Sequence, residues 1–198
     1  GIIYDQYWSA NPNLKEPPFE DCHYSMFVST DHGATWEENP ICRYDMCDAT
    51  GDPAYISKDK IAMAAGWNGL YIITEKGTKA EKTNVFYCKT IGYGAPEKKD
   101  DVNNINTLYM YGKPSETDPE GIYRSTDGAN SWVCINTDYI YGGTGNGNFI
   151  VGDMDEFGTL YMSTVGCGII YGRLSENGCG NDDPIVTTEP KVTTEPKI

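Results

Sequence analysis

Residues 29–36 read STDHGATW, and residues 125–132 read STDGANSW, 96 residues further on. Each octapeptide follows a short apolar stretch of similar form, YSMFVS (24–29) and EGIYRS (120–125). A worn third copy lies between them. LYIITEKGTKA (70–80) places Glu75 and Gly77 at the spacing of Asp31 and Gly33. The acidic positions 31, 75 and 127 are then separated by 44 and 52 residues. Each interval suits one four-stranded unit of a repeat protein such as a propeller.

The octapeptide chemistry is local. The Asp31 carboxylate is placed to accept backbone N–H bonds inside a tight turn. Gly33 permits a left-handed backbone, and Thr35 adds a hydroxyl. Trp36 opens the next strand and is expected in the hydrophobic layer. Ser29 and Ser125 head the two motifs, and Asp127, Ser131 and Trp132 repeat the later roles. Ala129 replaces the glycine while Gly128 sits one residue earlier, so the second turn is expected to be distorted or to use Gly128 for positive φ. A carboxylate tied to backbone donors has a depressed pKa and is a poor general acid. Asp31 and Asp127 therefore read as turn fasteners rather than catalytic groups.

Composition sets the class. The chain has 198 residues, 22 glycines, 11 prolines and 15 tyrosines, which favours a turn-rich β protein. Many short strand-like runs succeed one another without a helical period: 60–67, 70–74, 83–94, 107–113, 121–125, 131–136, 149–153, 159–164 and 168–174. Residues 1–22 read as one strand and a long loop, and 42–58 as mostly loop. The fold class is therefore all-β: a sandwich, barrel or propeller, with the repeat spacing favouring a partial β-propeller of about three to four blades.

The formal net charge is −14, a poor match for nucleic acid or an anionic membrane. The run lengths exclude a helical membrane span. The seven cysteines fit no zinc or thioredoxin spacing, and His23 and His32 are the only histidines, so no metal and no cofactor are expected. The chain opens at Gly1 without a signal peptide, as a mature form or a fragment does. Residues 1–175 form the folded part. Over 176–198 the chain turns polar and VTTEPK occurs twice in register; this is an extended linker, and a further module is expected beyond it.

S-x-D-x-G-x-T-W resembles the Asp-box (BNR repeat) of sialidases and other propeller enzymes. The later succession is more specific. GIYRSTDGANSWVCINTD, then YGG, GNFIVGD and FGTLYMSTVGCGIIYG is similar to the closing segment of the xyloglucan-cleaving endoglucanases of glycoside hydrolase family 74. TIGYGAP (90–96) resembles that family's Ile-Gly-x-Gly segment. The resemblance spans about residues 24–174. It implies two seven-bladed propellers facing across a cleft that holds a xylose-branched β-glucan. It also implies inverting hydrolysis by one aspartate from each propeller.

This chain would be the end of the second propeller. The catalytic aspartates would lie outside it, and its partners would be the missing N-terminal propeller, the remaining blades and plant cell-wall xyloglucan. The whole protein would be secreted. Cys134 and Cys167 stand where the family commonly has arginines, and as a pair they are candidates for a disulfide.

For residues that touch sugar, Trp67 in GWNGLY, Tyr93 in IGYG, and Tyr139 and Tyr141 beside YGG are the loop aromatics able to stack on pyranose faces. Asp52, Asp138 and Asp153 in glycine-rich loops read as turn caps, and nothing marks a carboxylate pair at the spacing of inverting hydrolysis. Two alternatives stay open. One is a non-catalytic module that binds polysaccharide or protein. The other is another Asp-box enzyme such as a sialidase, for which Arg43, Arg124 and Arg173 are the only arginines.

Overall fold

The computed structural model describes residues 3–9, 23–41, 53–98, 105–136, 147–166 and 168–174. Fourteen strands lie among them, in four antiparallel sheets. The first sheet holds β1 (Ile3–Ser9), β2 (His23–Ser29) and β3 (Glu37–Ile41). The second holds β4 (Ala54–Ser57), β5 (Lys60–Ala64), β6 (Leu70–Thr74) and β7 (Lys79–Lys82). The third holds β8 (Tyr87–Gly94), β9 (Thr107–Lys113), β10 (Gly121–Ser125) and β11 (Val133–Cys134). The fourth holds β12 (Ile150–Gly152), β13 (Leu160–Ser163) and β14 (Ile169–Gly172). In every sheet the strands pair in chain order as a meander.

Burial on both faces explains the apolar runs. In the second sheet Ala62, Ala64 and Leu70 join Leu108, Met110 and Tyr123 of the third in one core cluster. The alternate residues Ile61, Met63, Tyr71 and Ile73 fill a second cluster on the opposite face. The third sheet turns Tyr109, Tyr111 and Ile122 the other way, onto Ile150, Leu160, Met162 and Ile170 of the fourth. A strand covered on both sides shows a continuous apolar run, not an alternation. KIAMA and TLYMY are such runs.

Backbone contacts tie neighbouring sheets together. Cys88 N–H donates to the Gly66 carbonyl (3.0 Å), joining the third sheet to the second. Asn106 adds two bonds, from N–H to Ile56 O (2.9 Å) and from Nδ2 to Tyr55 O (3.1 Å). Between the third and fourth sheets Ala95 N–H donates to Asp153 O (2.7 Å). There the two backbones come so close that side chains do not fit. A Cβ on Gly92 would lie 1.9 Å from the Ile150 carbonyl oxygen, and one on Gly94 would lie 2.7 Å from the Gly152 Cα.

Several local expectations are corrected. The segment 42–58, read as mostly loop, contains β4. β7 went unread because KAEK is charged; it is the outer strand of its sheet and buries only Ala80, as edge strands tend to. β3 runs through Asn39 and Pro40 to Ile41; among the described strands it is at the edge of its sheet, where a proline need not donate. IGYG is not a loop but the second half of β8. SWVCIN shrinks to the two residues of β11. The linker expected over 176–198 lies outside the described residues.

The close approach at Gly92 leads to a sharp expectation. Gly92→Ala should lower the unfolding free energy by about 2–3 kcal/mol, because the added methyl meets backbone that cannot step aside. Gly172→Ala, whose Cβ would find only Leu160 at 3.7 Å, should be near neutral. Chemical denaturation of both variants measures the contrast, and equal effects would refute the close-approach account.

Candidate functional site

The two octapeptides fold into closely related hydrogen-bonded turns, the first joining β2 to β3 and the second joining β10 to β11. In the first, Ser29 Oγ donates to Asp31 Oδ1 (2.9 Å) and accepts from Gly33 N–H (2.8 Å). Thr35 closes the loop, N–H to Oδ1 (2.9 Å) and hydroxyl to Oδ2 (2.6 Å). In the second, Ser125 Oγ donates to Asp127 Oδ1 (2.8 Å) and accepts from Ala129 N–H (3.0 Å). Ser131 donates its N–H to Oδ1 (2.9 Å) and its hydroxyl to Oδ2 (2.5 Å), and Asn130 N–H adds a third donor to Oδ1 (3.0 Å).

Positive φ falls on the same two positions of each turn: His32 and Gly33, then Gly128 and Ala129. The second turn thus uses Gly128 and carries Ala129 in the left-handed region as well. The third turn differs. Ile73 and Lys79 stand where the hydroxyl partners would be, so the Glu75 carboxylate has nothing to fasten. Thr78 bonds the Glu75 carbonyl instead, through N–H (3.3 Å) and hydroxyl (2.8 Å).

These carboxylates are held ionised. Bonds from the Thr35 hydroxyl and N–H, with the Ser29 hydroxyl, lower Asp31 from 3.8 to about 2. Partial burial raises Asp127, but the bonds from Ser131, Ser125 and Asn130 outweigh it and the group ends below its ordinary value. Lys79 lowers Glu81 through their ion pair (2.8 Å). A general acid needs the opposite shift. Asp153 accepts from Asp155 and Glu156 N–H (2.7 and 3.0 Å) and so caps its turn. Asp52 and Asp138 lie outside the described residues. Among the described residues no group of three or more His, Cys, Asp or Glu is placed to hold a metal ion. Nor is any helix among them long and apolar enough to cross a membrane.

Of the two octapeptide tryptophans, Trp36 departs from expectation. Trp36 is 45% exposed. It walls a cleft with Glu75 and Thr78 instead of entering a core, since it sits ahead of an edge strand. Trp132 is half-buried against the main core cluster. The Cys134 Sγ lies 3.1 Å from the Asn136 carbonyl oxygen; Cys167, the other half of the candidate disulfide, lies outside the described residues.

The exposed aromatic surface is at the other end of the sheets. Trp67 sits in the β5–β6 turn, and antiparallel pairing puts that turn opposite the β6–β7 turn of Glu75. Trp67 is 67% exposed. Its ring lies over Tyr87 (centroids 4.4 Å, 31°) and edge-on to Phe86 (6.0 Å, 82°). Lys113 Nζ stands 5.4 Å from the centre of the Phe86 ring. Phe86 N–H is anchored on the Pro114 carbonyl (3.0 Å), which fixes the platform to the third sheet.

Tyr93 does not belong to this surface. It lies six residues along β8 from Tyr87, about 20 Å at strand rise. It meets Tyr55 (6.3 Å) and packs on the main core cluster, at the octapeptide end. Tyr139 and Tyr141 lie outside the described residues. Phe86 and Tyr87 were not singled out from sequence, where they read only as part of a strand.

Fold and site together define a class: an all-β chain of stacked meanders with fastened turns at one end and an exposed aromatic platform at the other. No family model matches the chain. It is 30% identical over 155 residues to a probable oligoxyloglucan-reducing end-specific xyloglucanase of Neosartorya fischeri, covering 73% of this chain and 18% of that protein. It is 31% identical over 172 residues to a xyloglucanase of Acetivibrio thermocellus, covering 82% and 18%. A xyloglucanase of Paenibacillus is 33% identical over 121 residues, covering 60% and 11%. The crystal structure of a GH74 enzyme of Niastella koreensis superposes with a TM-score of 0.53 at 26% identity, over 75% of this chain and 28% of that one.

The chain is distantly homologous to the xyloglucanases of glycoside hydrolase family 74. It spans less than a fifth of the length of these curated relatives.

The Asp31 shift has a pH consequence. Its folded value lies below its ordinary one, so the stability it contributes is complete above pH 3.8 and is lost as pH falls toward about 2. Asp31→Asn should therefore flatten the acid limb of the stability–pH curve, read by denaturant titration at stepped pH. An unchanged acid limb would refute this role.

Proposed function

We propose that this chain is the sugar-binding closing segment of a secreted, xyloglucan-cleaving β-1,4-glucanase: several blades of a propeller whose catalytic aspartates lie elsewhere in the protein. The observation that carries this reading is the Trp67–Tyr87–Phe86 platform. A tryptophan left two-thirds exposed yet braced by two aromatic neighbours is costly to leave in water unless a ligand covers it. Its flat face suits the C–H face of a pyranose, and the Lys113 ammonium beside Phe86 offers a donor for sugar hydroxyls. Distant homology to xyloglucanases supports the ligand class. Tyr139 and Tyr141, which precede β12 in the sequence, belong to the same proposal.

The depressed carboxylates argue against hydrolysis by the chain alone. A sialidase reading is disfavoured by the arginines. Arg124 lies over the Phe157 ring (5.1 Å) instead of joining a carboxylate-binding cluster. A non-catalytic polysaccharide-binding module shares the platform and differs only in whether catalytic blades accompany it.

Two measurements test the proposal. The chain should bind xyloglucan oligosaccharides, with Trp67→Ala weakening the affinity roughly tenfold or more, as truncation of an aromatic anchor does. Titration calorimetry reads this, and an unchanged affinity would overturn the platform. The chain alone should release no reducing ends from xyloglucan; robust turnover would overturn the placement of the catalytic aspartates.

A further inference from the structure

The worn turn Glu75–Gly77 has lost its fastening and kept its strain. Glu75 and Lys76 hold φ of 51° and 55°, the left-handed region that favours glycine. Two consecutive non-glycine residues there cost free energy. In the octapeptide turns the same backbone accompanies a carboxylate clamped by nearby hydroxyls. Here the bonds from Thr78 go to the Glu75 main-chain carbonyl. Among the described residues no hydrogen bond goes to the Glu75 carboxylate.

That carboxylate lines a cleft instead. The turn packs against β2, and beside the contact lies a space of about 370 Å³, in the size range of small-molecule sites. Two sheets build it. The first supplies Thr30, Trp36 and Glu37, and the second supplies Glu75, Lys76 and Thr78. Trp36 forms the aromatic wall and keeps nearly half of its surface in water. The residue before it is fixed, since Thr35 gives both its N–H and its hydroxyl to Asp31.

The lining selects a ligand by charge. An anion would meet Glu37 and Glu75, and a cation would sit beside the Lys76 ammonium. A neutral, polyhydroxylated molecule is opposed by neither. Carboxylates accept its hydroxyl protons, an ammonium donates to its oxygens, and threonine hydroxyls do both. An indole face covers its C–H groups. We propose that this cleft is a second carbohydrate site, taking a neutral saccharide between Trp36 and Glu75, at the end of the sheets opposite the Trp67 platform. It does not rest on the platform reading, because its lining comes from different turns.

Indole N–H resonances of the 198-residue chain, assigned with Trp36→Phe and Trp67→Phe and titrated with cellobiose, test the site. The Trp36 resonance should shift and saturate. Glu75→Gln should weaken that binding roughly fivefold or more, as loss of a charged acceptor does, and leave the Trp67 response unchanged. Glu75→Gly should abolish the Trp36 shift while raising the melting temperature, because glycine relieves the left-handed strain. A residue kept only for the fold would not trade one property for the other. A Trp36 resonance unmoved by cellobiose, or full affinity in both Glu75 variants, would overturn the site. Saturation by choline or inorganic phosphate in place of cellobiose would overturn the neutral-sugar assignment. A Trp67 response without a Trp36 response would overturn this site and leave the platform standing. The converse result would support this site and count against the platform.

Discussion

Everything in this structure depends on how closely one sheet can lie on the next. The third and fourth sheets meet where Gly92 and Gly94 face Ile150 and Gly152 with no side chain between them. That contact sets the separation at the first strands. Farther out, the space widens and is filled by Tyr109, Tyr111, Leu160 and Met162. Glycine inside a strand is ordinarily a cost in entropy and packing. Here it is offset by apolar side chains that are buried only because the backbones touch.

The stacking also separates two kinds of end. Antiparallel meanders alternate their turns between the two ends of each sheet. One end carries the fastened turns of Asp31 and Asp127, whose carboxylates accept from three and four local donors and are left with little reactivity. The other carries the Trp67 turn, the entry to β8 and the Pro114 connection, which converge from two sheets. Fasteners hold conformation with hydrogen bonds made within seven residues. The platform is made by rings 20 residues apart in sequence and exists only because the second and third sheets are neighbours.

Much of the architecture was legible from the chain. The apolar runs gave most strands their places, and the STDHGATW and STDGANSW octapeptides gave the turns their chemistry. The failures share a cause. β4 and β7 are short strands whose sequences carry no pattern of their own; they form because a neighbouring strand offers a ladder. IGYG looked like loop because glycine is normally a breaker, yet in β8 it is required by the opposing backbone. Trp36 looked like core because tryptophan usually is, but the residue after its turn begins an edge strand. The Thr-Leu-Tyr-Met repeat (107–110 and 159–162) was in plain view, but which face of it is covered is not written in four letters.

The sequence by itself determined what local forces decide: turn geometry, strand-forming runs, the ionised state of the fastening aspartates and the acidic, turn-rich β character of the whole. Tertiary structure alone decided which aromatics meet. It joined Trp67 to Phe86 and Tyr87, sent Tyr93 to the opposite end, buried Tyr109 and left Tyr161 exposed. The physical reason is range. A hydrogen-bonded turn is complete within its own octapeptide, whereas burial is a property of the surface laid against a residue, and that surface comes from another sheet.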